Sequence, residues 1–357
     1  MKVLMLGWEF PPHVTGGLGT ACAGIVRGLE SLGVEVELLV PPEHGSPSAY
    51  AGAAYGAGLF EAVERHTQRA RERARAEDHD VVHAHDWMCV EAGIAARAER
   101  GRPLVWHVHS TEYDRCPGGG DARIAGIEQL GLDEAQRVVC VSHYTAGVLQ
   151  ERFRVDPKKL RVVHNGVEPR LRPVRDEKLI PEPIVLFLGR VTRQKGPDTF
   201  LHAAARVVRE LPRVKFVMSG SGDMLSVMIE RAAKLGLARH VHFTGFLKGE
   251  DVERMYAMAD IFVMPSVSEP FGITPLEAMA LDTPVVLSRQ SGVSEILRNA
   301  LKVDFWDVDD IANKVLALLR YPALVEQLTA EGRDEIRGLR WEHPAAVLRD
   351  VYREVTA

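Results

Sequence analysis

The feature that most constrains this chain is a strand–helix alternation that runs twice. Short β-rich apolar runs (KVLMLG, VEVELLV, VVHAH, LVWHVH, RVVCVS, LRVVHNG) are separated by stretches of helical spacing. In TACAGIVRGLESLG, for example, Ala23, Val26, Arg27 and Glu30 recur every three to four residues. Such alternation predicts parallel α/β construction, with strands so apolar that helices must cover both sheet faces. Residues 166–183, GVEPRLRPVRDEKLIPEP, hold four prolines and mixed charge without periodicity, the composition of a linker. The alternation restarts in IVLFLG, VKFVMSG, VHFTG, IFVMPS and PVVLS, then continues as helix. A length of 357 residues exceeds what one core usually supports. The expected division is a domain at 1–168, a linker at 169–183, a second domain at 184–337 and a closing helix at 338–357.

Composition removes several classes of function. With 46% apolar and 26% charged residues and a net charge of −5, the chain is an ordinary globular one, without the basic excess of a nucleic-acid binder. Its four cysteines are widely spaced and form no C-x-x-C pair, which fits a reducing cytoplasm. The apolar start MKVLMLG stops at WEFPP, short of the roughly 7–15 residues of a signal-peptide core. No run approaches the roughly 20 apolar residues of a membrane span. The stretch RHTQRARERARAE, with Arg65, Arg69 and Arg73, reads as a solvated helix face, with weak peripheral membrane contact as the second reading.

In open α/β sheets ligands bind beyond the carboxyl ends of the strands, so the residues after each strand carry the chemistry. After the first strand, WEFPPHVTGGLGTA brings Gly16, Gly17 and Gly19 to a helix entrance, where amides and the helix dipole attract anions. These glycines come too late after the strand for a dinucleotide fingerprint, and only Glu43 is available to close the second strand. After the third and fourth strands, HAHDW and WHVHSTEYD place His85, Asp86 and His109 at one rim. Side-chain alternation is expected to keep His83/His85 and His107/His109 from acting as chelating pairs. Asp78–Asp80 precedes a strand and Asp307–Asp309 opens a late helix, so neither Asp-x-Asp pair suits a diphosphate–metal clamp, and no metal is expected.

In the second half, Arg190 and Lys195 follow a strand five residues apart. Two cations there can neutralise a diphosphate as it leaves. A further glycine turn, Gly220 and Gly222, follows the next strand. SEPFGITPLEA then sets Glu269 before a turn and Glu277 inside the following helix. Thr274 to Glu277 has the capping-box spacing, so Glu277 has a structural alternative; Glu269 has none. Amides of Gly272, Ile273 and Thr274 beside a carboxylate suit a ligand that carries both phosphate and hydroxyls: a nucleotide sugar.

Over nearly its whole length the chain resembles the retaining GT-B glycosyltransferases of family 4. The motifs are TGGLG, Gly189-Arg190 with Lys195-Gly196, SGSGD, the Glu269-x7-Glu277 pair and SGVSEIL; GWEFPPHVTGGLGTA and HAHDW are closest to the glycogen- and starch-synthase-like branch. The resemblance implies two Rossmann-like doubly wound domains facing a central cleft, with the closing helix crossing back to the first domain. It implies hexose transfer, with retention, from a UDP-, ADP- or GDP-sugar to an acceptor hydroxyl on a glucan or small sugar, without cofactor or metal. By the same resemblance Glu277 holds the ribose, Glu269 a donor-sugar hydroxyl, and Arg190 and Lys195 the diphosphate. Gly16 and Gly17 cover phosphates, Gly220 lies along the donor, His109 sits beside the donor sugar, Glu295 near the base or ribose edge, and His85 and Asp86 on the acceptor side. The segment Pro41–Asp80 is shorter than in synthase-like relatives, which weakens the case for a polymeric acceptor. A catalytically inactive sugar-nucleotide-binding module and a GT-B epimerase are the alternatives.

Overall fold

The computed structural model describes residues 1–12, 16–42, 58–116, 119–168 and 180–357. The described chain divides into two units, Met1–Gly166 with Arg340–Ala357, and Val167–Leu339. Most of the expected linker, 169–179, lies outside the described residues, as do 13–15 of the glycine loop and 43–57 of the short segment after the second strand.

The first unit is built on strands β1 (Lys2–Leu6), β2 (Glu35–Leu39), β3 (Val81–His85), β4 (Leu104–Val108), β5 (Arg137–Cys140) and β6 (Leu160–Val162). They pair in parallel in the order β2-β1-β3-β4-β5-β6. Alternate residues sort to the two faces. Leu4, Leu6, Val82, Ala84, Trp106 and Val108 enter one apolar core with Trp87, Met88 and Leu149. The opposite face of β3 is met by the C-terminal helix Glu342–Thr356, whose Tyr352 is fully buried. That helix also packs on the helix Gly17–Ser31. A Cβ at Gly24 would fall inside the Trp341 indole, and one at Gly28 would lie 2.7 Å from the Trp341 carbonyl oxygen.

The arginines of the helix Leu59–Ala76 are engaged rather than simply solvated. Arg69 Nη1 donates to the Val40 carbonyl at 2.8 Å, Arg73 pairs with Glu37 of β2, and Arg75 pairs with Glu99 at 2.6 Å. The run therefore knits this helix to its neighbours. Among the described residues, no helix is long and apolar enough to cross a membrane.

The second unit holds β7 (Ile184–Leu188), β8 (Lys215–Ser219), β9 (Val241–Gly245), β10 (Ile261–Met264), β11 (Val285–Ser288) and β12 (Leu301–Val303). All are parallel, in the order β12-β11-β10-β7-β8-β9, the dinucleotide-fold pattern in which strand order reverses between the first and fourth strands. Five of these strands are legible in the sequence. β12 is not: at three residues, two of them half-exposed, it has too little apolar pattern to stand out from the helix that follows. Asp307 caps that helix, Val308–Arg320, by accepting from the Asp310 amide at 2.9 Å.

Candidate functional site

The reversal of strand order between β7 and β10 opens a crevice at their carboxyl ends, because the connections leave it in opposite directions. Both flanking loops carry charge. The loop after β7 holds Arg190 and Lys195, and the loop after β10 holds Glu269. Backbone ties fix the two loops to each other: the Val267 amide donates to the Gln194 carbonyl at 2.8 Å. Gly196, with φ of 67°, passes so close to the Pro265 carbonyl that a Cβ there would overlap it. Lys195 Nζ consequently meets Glu269 Oε2 in an ion pair, and Ser266 Oγ donates to the same oxygen at 3.2 Å. Glu269 is nearly buried, so its carboxylate is held by these donors in a poorly solvated position. Arg190 Nη2 donates to the buried Gln194 Oε1 at 3.0 Å, which orients the guanidinium.

The loop after β10 is also braced by the loop after β11. The Glu269 amide donates to Gln290 O at 3.0 Å, the Gly292 amide to Glu269 O at 2.9 Å and the Val293 amide to Phe271 O at 2.8 Å. Gly272 has φ of 97°, and a Cβ there would press on Glu269 Cγ at 3.1 Å, so the turn needs glycine on both counts. The capping-box reading of Glu277 fails. Thr274 is the first helical residue of Thr274–Ala280, the position before it is Ile273 in helical conformation, and among the described residues no side chain caps the helix. Thr274 Oγ1 turns instead to Met264 Sδ at 3.8 Å, and Glu277 Oε2 accepts from the buried Tyr256 hydroxyl at 3.3 Å. Glu295 ends a 3-10 turn, Gly292–Glu295, and is exposed. Gly220 has a role within the chain itself: with φ of 143°, a Cβ would overlap the Gly189 carbonyl.

In the first unit, strand order reverses between β1 and β3. Gly16 is the extended N-cap of the helix Gly17–Ser31, and among the described residues no side chain caps it and none lies within 4 Å of a Cβ added at Gly16 or Gly17. His85 and His109 meet directly, Nδ1 to Nε2 at 2.8 Å. Asp86 Oδ1 accepts from the His109 amide at 2.6 Å and the Ser110 amide at 3.1 Å. Asp86 takes φ of 56°, an uncommon value for a residue with a side chain, and its own amide donates to His107 O at 2.8 Å. Burial lowers the His109 pKa from its ordinary value, and the Asp86 carboxylate opposes that shift. His85 and Asp86 are fully buried, and each bonds His109, His85 through its ring and Asp86 through the His109 amide.

One correction concerns the histidine strands. Residues two apart on a strand share a face. His83 and His85 accordingly have ring centroids 4.3 Å apart, as do His107 and His109, and His83 stacks on His107 at 5.4 Å. Alternation therefore brings each pair together on one face, against the expectation that it keeps them apart. Sequence reasoning also missed Ser266, Gln194 and Tyr256, each a buried partner of a charged site residue. Ser266 and Gln194 lie within three residues of Glu269 and four of Arg190, so adjacency could have flagged them; Tyr256 reaches Glu277 across 21 positions and left no such signal.

Two family models match successive parts of the chain: glycosyltransferase family 4 over residues 15–171 and glycosyl transferases group 1 over 174–335. An uncharacterized glycosyltransferase of Methanocaldococcus jannaschii is 32% identical over 84% of this chain and 83% of its own length. The alpha-maltose-1-phosphate synthase of Mycolicibacterium smegmatis is 31% identical over the full length of both. Among solved structures, Anabaena HepE in complex with UDP-glucose superposes with a TM-score of 0.76 at 20% identity, over 98% of this chain and all of that one.

Proposed function

The chain belongs to the glycosyltransferases of group 1 and family 4, with the GT-B pair of Rossmann-like domains, and from that premise we propose that it transfers glucose from a nucleotide diphosphate sugar to a carbohydrate hydroxyl, with retention of configuration. The observation that carries this reading is the Lys195–Glu269 pair at the β7/β10 reversal, with Arg190 on the same loop as Lys195 and oriented by Gln194. The cations suit the diphosphate and the growing charge on it as the bond to the anomeric carbon breaks. Glu269, with Ser266, suits hydroxyls of the donor sugar, and Glu277, on Tyr256, suits the ribose. The amides of Gly272, Ile273 and Thr274 lie on the same loop, and Glu295 belongs to the base or ribose edge.

Gly16 and Gly17 are assigned to the donor phosphates and His109 to the donor sugar. Burial lowers the His109 pKa and so favours the neutral imidazole, a hydrogen-bonding group without positive charge. No side chain is assigned as a covalent nucleophile. The acceptor oxygen attacks the face from which the diphosphate departs, and its proton passes to the leaving diphosphate. The names of the relatives support glucose and a small sugar acceptor: one makes maltose 1-phosphate, and a structural neighbour holds UDP-glucose.

The test is release of nucleoside diphosphate from UDP-, ADP- and GDP-glucose with glucose, glucose 1-phosphate and maltodextrin as acceptors, without added divalent cation. Turnover is expected with one donor, and Glu269→Ala and Lys195→Ala are each expected to cut it at least a hundredfold, the scale of losing a group that stabilises transition-state charge. Full turnover in either variant refutes the site; a strict need for added magnesium or manganese refutes the metal-free reading.

A further inference from the structure

The face of the first sheet beneath the C-terminal helix carries three imidazoles where a parallel α/β protein ordinarily places valine or isoleucine. His83, His85 and His107 are each fully buried, and one ring nitrogen of each lies within 4.8 Å of the others. Buried polar atoms ordinarily have partners, yet His83 Nε2, His85 Nε2 and both nitrogens of His107 have none among the described residues. The orphans follow a pattern. His83 bonds Tyr352 Oη through Nδ1 at 2.6 Å, and His85 bonds His109 through Nδ1 at 2.8 Å, so each ring is oriented by one nitrogen and leaves the other unused. His83 and His85 are thus each held by an outer partner on one nitrogen, as metal-ligating imidazoles commonly are, and His107 offers both of its nitrogens. Burial keeps all three rings neutral, with lone pairs available.

We propose that His83, His85 and His107 bind one divalent transition-metal ion of the zinc class through their unpartnered ring nitrogens. An all-imidazole donor set excludes magnesium and calcium, which need oxygen, and suits zinc, cobalt, nickel or copper. Bonds of about 2.0–2.1 Å require the nitrogens to draw together, which rotation about the soft terminal torsion of each ring supplies. Metal binding sets the tautomer: Nδ1–H of His83 donates to Tyr352, and Nδ1–H of His85 donates to His109. The ion thereby pins the ends of β3 and β4, which carry Asp86 and His109, to the C-terminal helix. The proposal does not depend on the donor-binding reading, although His85 touches His109.

The test uses the full, untagged chain, dialysed against a chelator and titrated with cobalt(II). One equivalent is expected to bind, with the visible absorption of a nitrogen-ligated, low-coordinate ion, and zinc is expected to displace it and raise Tm. His107→Gln is expected to abolish the absorption. Tyr352→Phe, which leaves the ligands in place, is expected to weaken binding ten- to a hundredfold. Circular dichroism establishes that each variant is folded, and Tyr352→Phe decides the matter if His107→Gln unfolds. Absence of a cobalt spectrum in the folded wild type overturns the proposal. So does an undiminished spectrum in folded His107→Gln, which assigns the metal to surface imidazoles such as the neighbouring rings of His143 and His164, or unweakened binding in Tyr352→Phe.

Discussion

Gly28→Ala should destabilise the first unit, although the same exchange in a helix interior is ordinarily favourable by about 1 kcal/mol. A Cβ at Gly28 lies 2.7 Å from the Trp341 carbonyl oxygen and 2.8 Å from Ala345 Cβ. Neither atom can turn aside, since one is backbone and the other is the stub of an alanine. Carbon atoms rest about 3.5–4.0 Å apart, so the helices Gly17–Ser31 and Glu342–Thr356 must separate by close to an ångström. A gap of that size forfeits a quarter to a half of the dispersion at each contact along the seam, and overpacking of this kind costs about 1–3 kcal/mol. At the upper end of that range, less the gain in propensity, the net loss is about 2 kcal/mol. Gly126, in the helix Ala122–Glu134, is the internal control: it is exposed, and no described residue lies within 4 Å of its added Cβ, so Gly126→Ala should gain about 1 kcal/mol. Urea unfolding, read with hydrogen exchange in Glu342–Thr356, measures both. At an m-value of about 2 kcal/mol/M the two midpoints should differ by more than 1 M. If Gly28→Ala proves as stable as Gly126→Ala, the packing of the C-terminal helix on the first helix has been misread.

Three further outcomes are expected. Gly220→Ala introduces a Cβ into the Gly189 carbonyl at a φ of 143°, and should cost about 2–4 kcal/mol by thermal or urea unfolding; a neutral result shows that the two turns can separate freely. Tyr256→Phe removes a hydroxyl that donates to Glu277, so KM for the donor should rise roughly fivefold with little change in kcat, the worth of about one hydrogen bond; an unchanged KM detaches Glu277 from the ribose. His66 is buried beside Trp8, and burial brings its pKa down to about 4, so the folded chain holds it neutral while the unfolded chain protonates it near pH 6.5. The depressed pKa makes its contribution complete above pH 6.5 and lost as pH falls from there toward 4. Between pH 7.5 and 5.5 wild type should lose about 1.4 kcal/mol more than His66→Gln, and parallel pH profiles in urea unfolding defeat the assignment.

The amino-acid sequence by itself determined the two parallel α/β units and the strand ends at which the candidate site residues lie. Apolar runs of strand length alternating with helical periods allow little else, and strand ends are where open sheets bind ligands. Arg190, Lys195, Glu269 and His109 are legible because each follows a strand, a fact of local order. Contacts between distant segments were decided only by the tertiary structure. The β12-β11-β10-β7-β8-β9 order brings the loops after β7 and β10 together, and so pairs Lys195 with Glu269 across 74 positions. The same holds for Tyr256 beneath Glu277 and for Gly24 and Gly28 beneath Trp341, where the glycines serve a helix not reached for another 300 residues or more. The histidines mark the boundary between the two. Their spacing of two already placed each pair on one face; only parallel pairing of β3 with β4, and the helix laid over that face, brought the rings into a single buried group.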